Sequence, residues 1–329
     1  MDEARQITDR QLRRMERKIK EIYKKAAKDI VAKWNAYMER SERALKPLQD
    51  AYDIAVLSGN KNAVESARDA LTAEIRKRTL NNTRYKNMIA ETTRQLANAN
   101  KTALAYINGQ VPDIYAVNYN AISTDAFNLG VDFAIVDAHT VKRLITDGDI
   151  SLPPKKFSVP KDMRWNTKQL NASVLQGILQ GEGIPKISKR IQPIINKNRA
   201  SAIRNARTMV TGAECRGRLD SYYDLDKMGI VQEKEWVATA DERTRPSHLD
   251  MDGESVDIDA TFSNGCMFPG DTNADPSEVW CCRCSIRSRI IGFRRADGSV
   301  SKIDYKRSEG LHNKQIREEQ ERRADNGEQ

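Results

Sequence analysis

Between Ile7 and about Lys46 the chain carries neither Gly nor Pro, and apolar residues recur at Leu12, Met15, Ile19, Ile22, Ala26, Ile30, Trp34 and Tyr37. Steps of three and four keep one face of a 3.6-residue turn apolar, so this pattern predicts a long amphipathic helix. A second helix is expected over Pro47 to Leu57, then a turn at Ser58-Gly59-Asn60, then a third helix with Val64, Ala67, Leu71 and Ile75 on its stripe. Asn81-Asn82-Thr83 reads as a break or cap before Tyr85, Met88, Thr92 and Leu96 and the run Leu104 to Ile107, and Gly109 and Pro112 are expected to end the region. The aromatic and Met positions in this third have the spacing of helix packing, and none has catalytic spacing.

Further on, Asp137 to Ile145 reads as a short helix, and the proline-rich stretch from Asp147-Gly148-Asp149 to Pro160 as the main domain boundary. Asn166-Thr167 is expected to cap a helix through Ile178, Gly181-Glu182-Gly183 to interrupt it, and Ile184 to Ile195 to resume it. No Gly-Lys-Ser/Thr follows those glycines and no strand precedes them, so they read as a helix–helix turn and not as a phosphate loop. Arg199 to Met228 is expected as a longer helix closed by Gly229. The texture then changes: Glu235-Trp236-Val237-Ala238, Ser255 to Ile258 and Ser285 to Ile291 read as strands, with a turn at Phe268-Pro269-Gly270-Asp271. From about Asp297 the chain is polar, which predicts a frayed helix or disorder. The fold class expected is mostly α with a small C-terminal α+β module and an elongated helical N-terminal arm. The divisions are residues 1–107 for the arm, 108–160 for a connecting segment, 161–296 for a C-terminal domain (helices 165–229, α+β module 230–292) and 297–329 for a polar tail.

Composition narrows the classes. The 329 residues suggest about two domains at roughly 100 to 200 residues each. Only 39% are hydrophobic, and no apolar run approaches the roughly 20 residues of a membrane span. The N-terminus, Met1-Asp2-Glu3-Ala4-Arg5-Gln6, never reaches an apolar stretch of signal-peptide type, so the protein is expected to stay where it is made. The net charge of +9 lies wholly in residues 1–107, which hold 23 basic and 14 acidic side chains, whereas residues 231–282 hold three basic and twelve acidic ones. A basic third is either a solvated helix face or a surface for an anionic partner such as nucleic acid. Arg13, Arg14, Arg17, Lys18, Lys20, Lys24 and Lys25 are its candidate phosphate contacts.

The chemistry-bearing residues concentrate in one stretch. Asp241, Arg243, Arg245, His248 and Gly253 are followed by Pro269-Gly270-Asp271, Glu278 and Cys281-Cys282-Arg283-Cys284. Five cysteines with four inside 19 positions suit a reducing compartment or a metal better than a disulfide framework. One reading is a zinc site: residues two apart in a strand share a side, so Cys282 and Cys284 converge, His248 is a third ligand, and Cys266 is favoured over Cys281 or Asp241 as the fourth. A second is a nucleophilic cysteine with His248 as base and Asp241 as orienting group. The third is structural, with Asp241 and His248 bonded to turn backbone, arginines paired with acids and thiols filling a small core. His139 and His312 read as surface residues.

The order Ala206-Arg207-Thr208, then Asp241-x-Arg243-x-x-x-x-His248, then Pro269-Gly270-Asp271 and Cys282-Arg283-Cys284, with the run Leu175-Gln176-Gly177-Ile178 ahead of it, resembles the minor head proteins of tailed bacteriophages. These are the phage Mu F-like or head morphogenesis family. The likeness covers about residues 165 to 292. Family members usually carry Asn where this chain has Cys281, which sets that thiol apart from a shared ligand set. The resemblance implies a low-copy minor capsid component made in the host bacterial cytoplasm. It would be built into the procapsid near the portal protein, among major capsid or scaffold protein, and associated with packaged double-stranded DNA. It brings no established catalytic residues, so no enzyme activity is expected. The competing class is a DNA-binding or toxin-like enzymatic effector carried in the phage head. Against it stands a C-terminus within 40 residues of the family segment, too little for an appended catalytic domain.

Overall fold

The computed structural model describes residues 2–79, 83–128, 131–150, 159–180, 182–271 and 273–303. The chain is mostly helical, with a small sheet confined to its C-terminal part, as the pattern predicts. The described residues of 9–111 and 154–207 form one compact unit, and those of 1–8, 112–153 and 208–329 form another.

The first unit is built on α1 (Glu3–Ser58), α2 (Lys61–Thr79), α3 (Thr83–Asn120), α6 (Val159–Leu179) and the first part of α7 (Ile184–Lys227). Met15, Ile19, Tyr23, Ile30, Trp34 and Met38 make the buried stripe of α1. Tyr23 and Met38 take places that the apolar pattern assigns to Ile22 and Tyr37. The Tyr23 ring goes inside because its hydroxyl finds the buried Asn100 side chain, so the polar tip is not stranded. Asn100 Nδ2 in turn donates to Asn198 Oδ1 at 3.2 Å, and Asn198 Nδ2 to Asn166 Oδ1 at 2.8 Å. Asn166 is therefore an interior residue of α6 and not the helix cap expected of it. Its side chain is bonded to another helix, where it no longer competes for its own backbone.

Helices expected to begin at Pro47 and to end by Pro112 run on through both, as does the helix already expected across Pro193. Pro47, Pro112 and Pro193 lie inside α1, α3 and α7. Each forfeits its own N–H bond to the carbonyl four residues back, a local cost of about 3 kcal/mol that a long buried face outweighs. No helix among the described residues is long and apolar enough to cross a membrane.

In the second unit, α4 (Ser123–Asn128) and α5 (Ala138–Asp147) follow α3. α5 falls where the sequence puts it: Asp137 caps it by accepting the Thr140 N–H at 2.7 Å, and Gly148 closes it. The end of α3 lies against the last turns of α7. Tyr115 donates its hydroxyl to Asp220 at 2.6 Å, and a Cβ on Gly217 would sit 2.6 Å from the Tyr115 carbonyl oxygen. Gly217 thus sets how near the two backbones come.

After α7, β1 (Ile230–Val237), α8 (Pro246–Asp250), β2 (Ser255–Asp257), α9 (Pro276–Val279), β3 (Ser285–Arg294) and β4 (Val300–Lys302) complete the unit. The strands form one antiparallel sheet in the order β2-β1-β3-β4. β1 starts five residues before the strand expected at Glu235, because Ile230, Gln232, Lys234 and Trp236 all face inward. Two polar residues on the buried face hide the alternation. Each has a backbone carbonyl to donate to: Gln232 Nε2 reaches the Tyr222 oxygen at 2.9 Å and Lys234 Nζ reaches the Ile258 oxygen at 2.8 Å. β4 lies in the polar tail, where a frayed helix or disorder is expected from Asp297. The rest of that tail, residues 304–329 with His312, lies outside the described residues, as do Gly181 and positions 151–158 of the expected boundary.

Candidate functional site

The expected cluster assembles in the second unit. α8 is a single turn with Pro246 at its start, and it places His248 facing inward. The two thiols arrive from the segment between α9 and β3, where Thr211 on α7 donates its hydroxyl to the Cys282 carbonyl at 2.8 Å. Cys215 Sγ, also on α7, contacts the Cys284 carbonyl at 3.7 Å. His248 Nδ1 then lies 3.5 Å from Cys282 Sγ and 3.5 Å from Cys284 Sγ. Among the described residues His248, Cys282 and Cys284 are the group able to hold a metal ion, with their ligand atoms all within 4.8 Å of one another. All three are buried, at 1%, 2% and 2% exposure.

The other imidazole nitrogen is taken. His248 Nε2 is 2.7 Å from Glu278 Oε2, and Asn264 Nδ2 approaches the same oxygen at 3.4 Å. Trp236 packs edge-on to the ring, with centroids 5.2 Å apart. The hydrogen bond with the Cys282 thiol, helped by His248, pulls the Cys284 thiol well below its ordinary pKa and pushes Cys282 above it. Burial works against a charge on His248, but its bonds to Cys284 and Glu278 outweigh this and raise its pKa.

Cys266, the expected fourth ligand, is not in the group. It closes a tight turn, with the Phe262 N–H on its carbonyl at 2.9 Å, and burial raises its thiol pKa to about 12. Cys281 is exposed at φ 62, with its N–H on Thr208 Oγ1 at 3.0 Å. Asp241 does not orient the imidazole. Arg283 grips both of its oxygens in a fork, which holds the carboxyl far below the usual range, and Arg243 approaches it at 3.6 Å.

The other motif residues tie this knot together. Arg245 donates to the Trp280 carbonyl, and Gly253 donates its N–H to the Trp236 carbonyl at 2.9 Å. Asp271, 3% exposed, accepts the N–H groups of Met267 at 3.0 Å and Asn273 at 2.9 Å, and thereby fixes the buried Pro269-Gly270 turn. Sequence reasoning names Glu278 without its role, and it misses Arg5 and Glu214. Arg5 reaches Glu214 at 3.3 Å, the Thr239 hydroxyl at 3.3 Å and the Arg283 carbonyl at 2.7 Å. Partners more than 200 positions apart leave no local signal. The seven basic candidates of α1 are all exposed, and His139 is a surface residue at the start of α5.

Comparison with known proteins agrees with the motif reading. Residues 168–287 match the family described as Phage Mu protein F like protein. The chain is 28% identical over 224 residues to Minor head protein GP7 of Bacillus phage SPP1, covering 62% of this chain and 70% of that one. It is also 26% identical over 127 residues to the NAD(+)–arginine ADP-ribosyltransferase EFV of Enterococcus faecalis, covering 37% of this chain but only 25% of that enzyme. No solved structure matches.

Proposed function

We propose that this chain, a phage minor head protein by its match to the phage Mu F-like family, acts in assembly of the procapsid near the portal and contacts packaged double-stranded DNA. The observation that carries the reading is that the family's motif residues are spent on bonds within the fold, with His248, Cys282, Cys284 and Asp271 buried. His248, Cys282, Cys284, Asp271 and the Asp241–Arg283 pair bond to one another and to backbone, which is the work of a scaffold element. An acid, base and nucleophile open to a substrate would need a cleft at the thiols. The portal protein and the major capsid or scaffold protein are the partners of this reading, the virion head its place and the host cytoplasm its site of synthesis. The seven cations of α1 supply the side turned to DNA, where phosphate contacts lead the affinity.

Deleting the gene from its phage is expected to leave defective or non-infectious heads. Normal particle yield and infectivity would sink the reading. Crosslinking in purified procapsids should join the chain to portal, major capsid or scaffold protein. A second reading, an effector enzyme, is favoured only by the partial likeness to the ADP-ribosyltransferase. Transfer of label from NAD to an arginine substrate by the purified chain would support it.

A further inference from the structure

Imidazole Nδ1 has a single in-plane lone pair, yet His248 presents it to two sulfurs at once, each 3.5 Å away. One lone pair cannot accept two well-aligned S–H bonds. It can be shared with both sulfurs through one ion on its axis. For a tetrahedral zinc ion with sulfur at about 2.3 Å and imidazole nitrogen at about 2.0 Å, the edge between the two donors is about 3.5 Å. The observed separations equal that edge on both sides.

Two more features point the same way. Glu278 accepts at Nε2, which fixes the tautomer with the proton there and leaves Nδ1 free to bind; the carboxylate–imidazole–metal relay is how such ligands are normally oriented. The Cys284 N–H also points at Cys282 Sγ from 3.4 Å, a donor suited to a thiolate. Thiols held at 2% exposure can both ionise only where a cation offsets the cost of burying their charge.

We infer that His248 Nδ1, Cys282 Sγ and Cys284 Sγ bind one zinc ion that staples α8 to the start of β3, with Glu278 as the positioning residue behind the imidazole and water as the fourth donor. No other His, Cys, Asp or Glu among the described residues joins these three. The ligand set differs from the one the sequence favours, since Cys266 is left out. The staple suits its place: it ties a one-turn helix to a strand, and a metal contributes folding free energy directly.

The test uses the full-length chain purified under reducing conditions and measures metal by mass spectrometry. The expected result is one zinc per chain, and exchange for cobalt(II) should give a tetrahedral spectrum with thiolate charge-transfer bands. Cys282→Ser, Cys284→Ser and His248→Gln should lose the metal, whereas Cys266→Ser should keep it. Those ligand variants can fail to fold, so Glu278→Gln provides a separate readout. It should remain folded and hold zinc 10- to 100-fold more weakly in competition with a chelating dye. A wild-type chain without zinc that also fails to take up zinc or cobalt after reduction overturns the proposal. So does loss of zinc in Cys266→Ser, or unchanged affinity in Glu278→Gln.

Discussion

Gly270 and Gly212 meet backbone to backbone: a Cβ built on Gly270 would lie 2.8 Å from the Gly212 Cα. Gly270 is also at φ 87, in the left-handed region that side chains rarely adopt. The turn of Pro269-Gly270-Asp271 is thereby laid directly on α7, beside Thr211, which holds the Cys282 carbonyl. Gly270→Ala is expected to destabilise the protein by about 2 kcal/mol or more, from strain at positive φ together with overpacking. Denaturant unfolding reads this, and a change below about 0.5 kcal/mol would show that the close approach gives way easily.

Burial lowers the pKa of Lys234 to about 8, with its ammonium over the Phe262 ring and on the Ile258 carbonyl. The unfolded chain keeps this lysine protonated up to its ordinary value near 10.5, so between these two values the unfolded state binds more protons. Stability from this group therefore rises as pH goes from about 8 to 10.5. Lys234→Met should remove that rise. Thermal unfolding of both proteins across the window measures it, and parallel curves would refute the assignment.

The Asn166–Asn198 pair is a buried polar interaction whose parts depend on each other. Asn198→Ala leaves the amides of Asn100 and Asn166 without their shared partner, and each unsatisfied buried group costs about 1–3 kcal/mol. A loss of about 2 kcal/mol or more is expected in chemical unfolding. Asn198→Leu should not restore it, because an apolar side chain offers the amides nothing.

Replacing Arg13, Arg14, Arg17, Lys18, Lys20, Lys24 and Lys25 with Gln in the full chain should weaken duplex DNA binding and flatten its salt dependence. Every cation that neutralises a phosphate adds about 0.9 to the slope of log affinity against log salt, so its removal flattens the slope by that amount. None of these side chains belongs to the buried stripe of α1, so the fold should persist by circular dichroism. An unchanged slope would mean that the basic face is merely solvated.

The seven-cation face, the long helices and the concentration of His and Cys chemistry after residue 240 can all be read from the sequence. Helical periodicity, charge and residue spacing are properties of neighbours along the chain. The short helix at Ala138–Asp147 is legible for the same reason, since Asp137 and Gly148 mark both of its ends. Tertiary structure decided the rest. Pro47 and Pro112 read as helix boundaries, yet α1 and α3 continue through them because distant faces bury against them. Gln232 and Lys234 hide the alternation of β1, yet they point inward, where the Tyr222 and Ile258 carbonyls accept from them. In the candidate site the spacing of Cys282 and Cys284 announces a shared side, but it cannot say which histidine nitrogen meets them. Nor can it say that Glu278 holds the other nitrogen, or that Cys266 stays apart. Those choices depend on how α8, α9 and β3 close on one another, and the free energy that makes them comes from interactions between residues far apart in sequence.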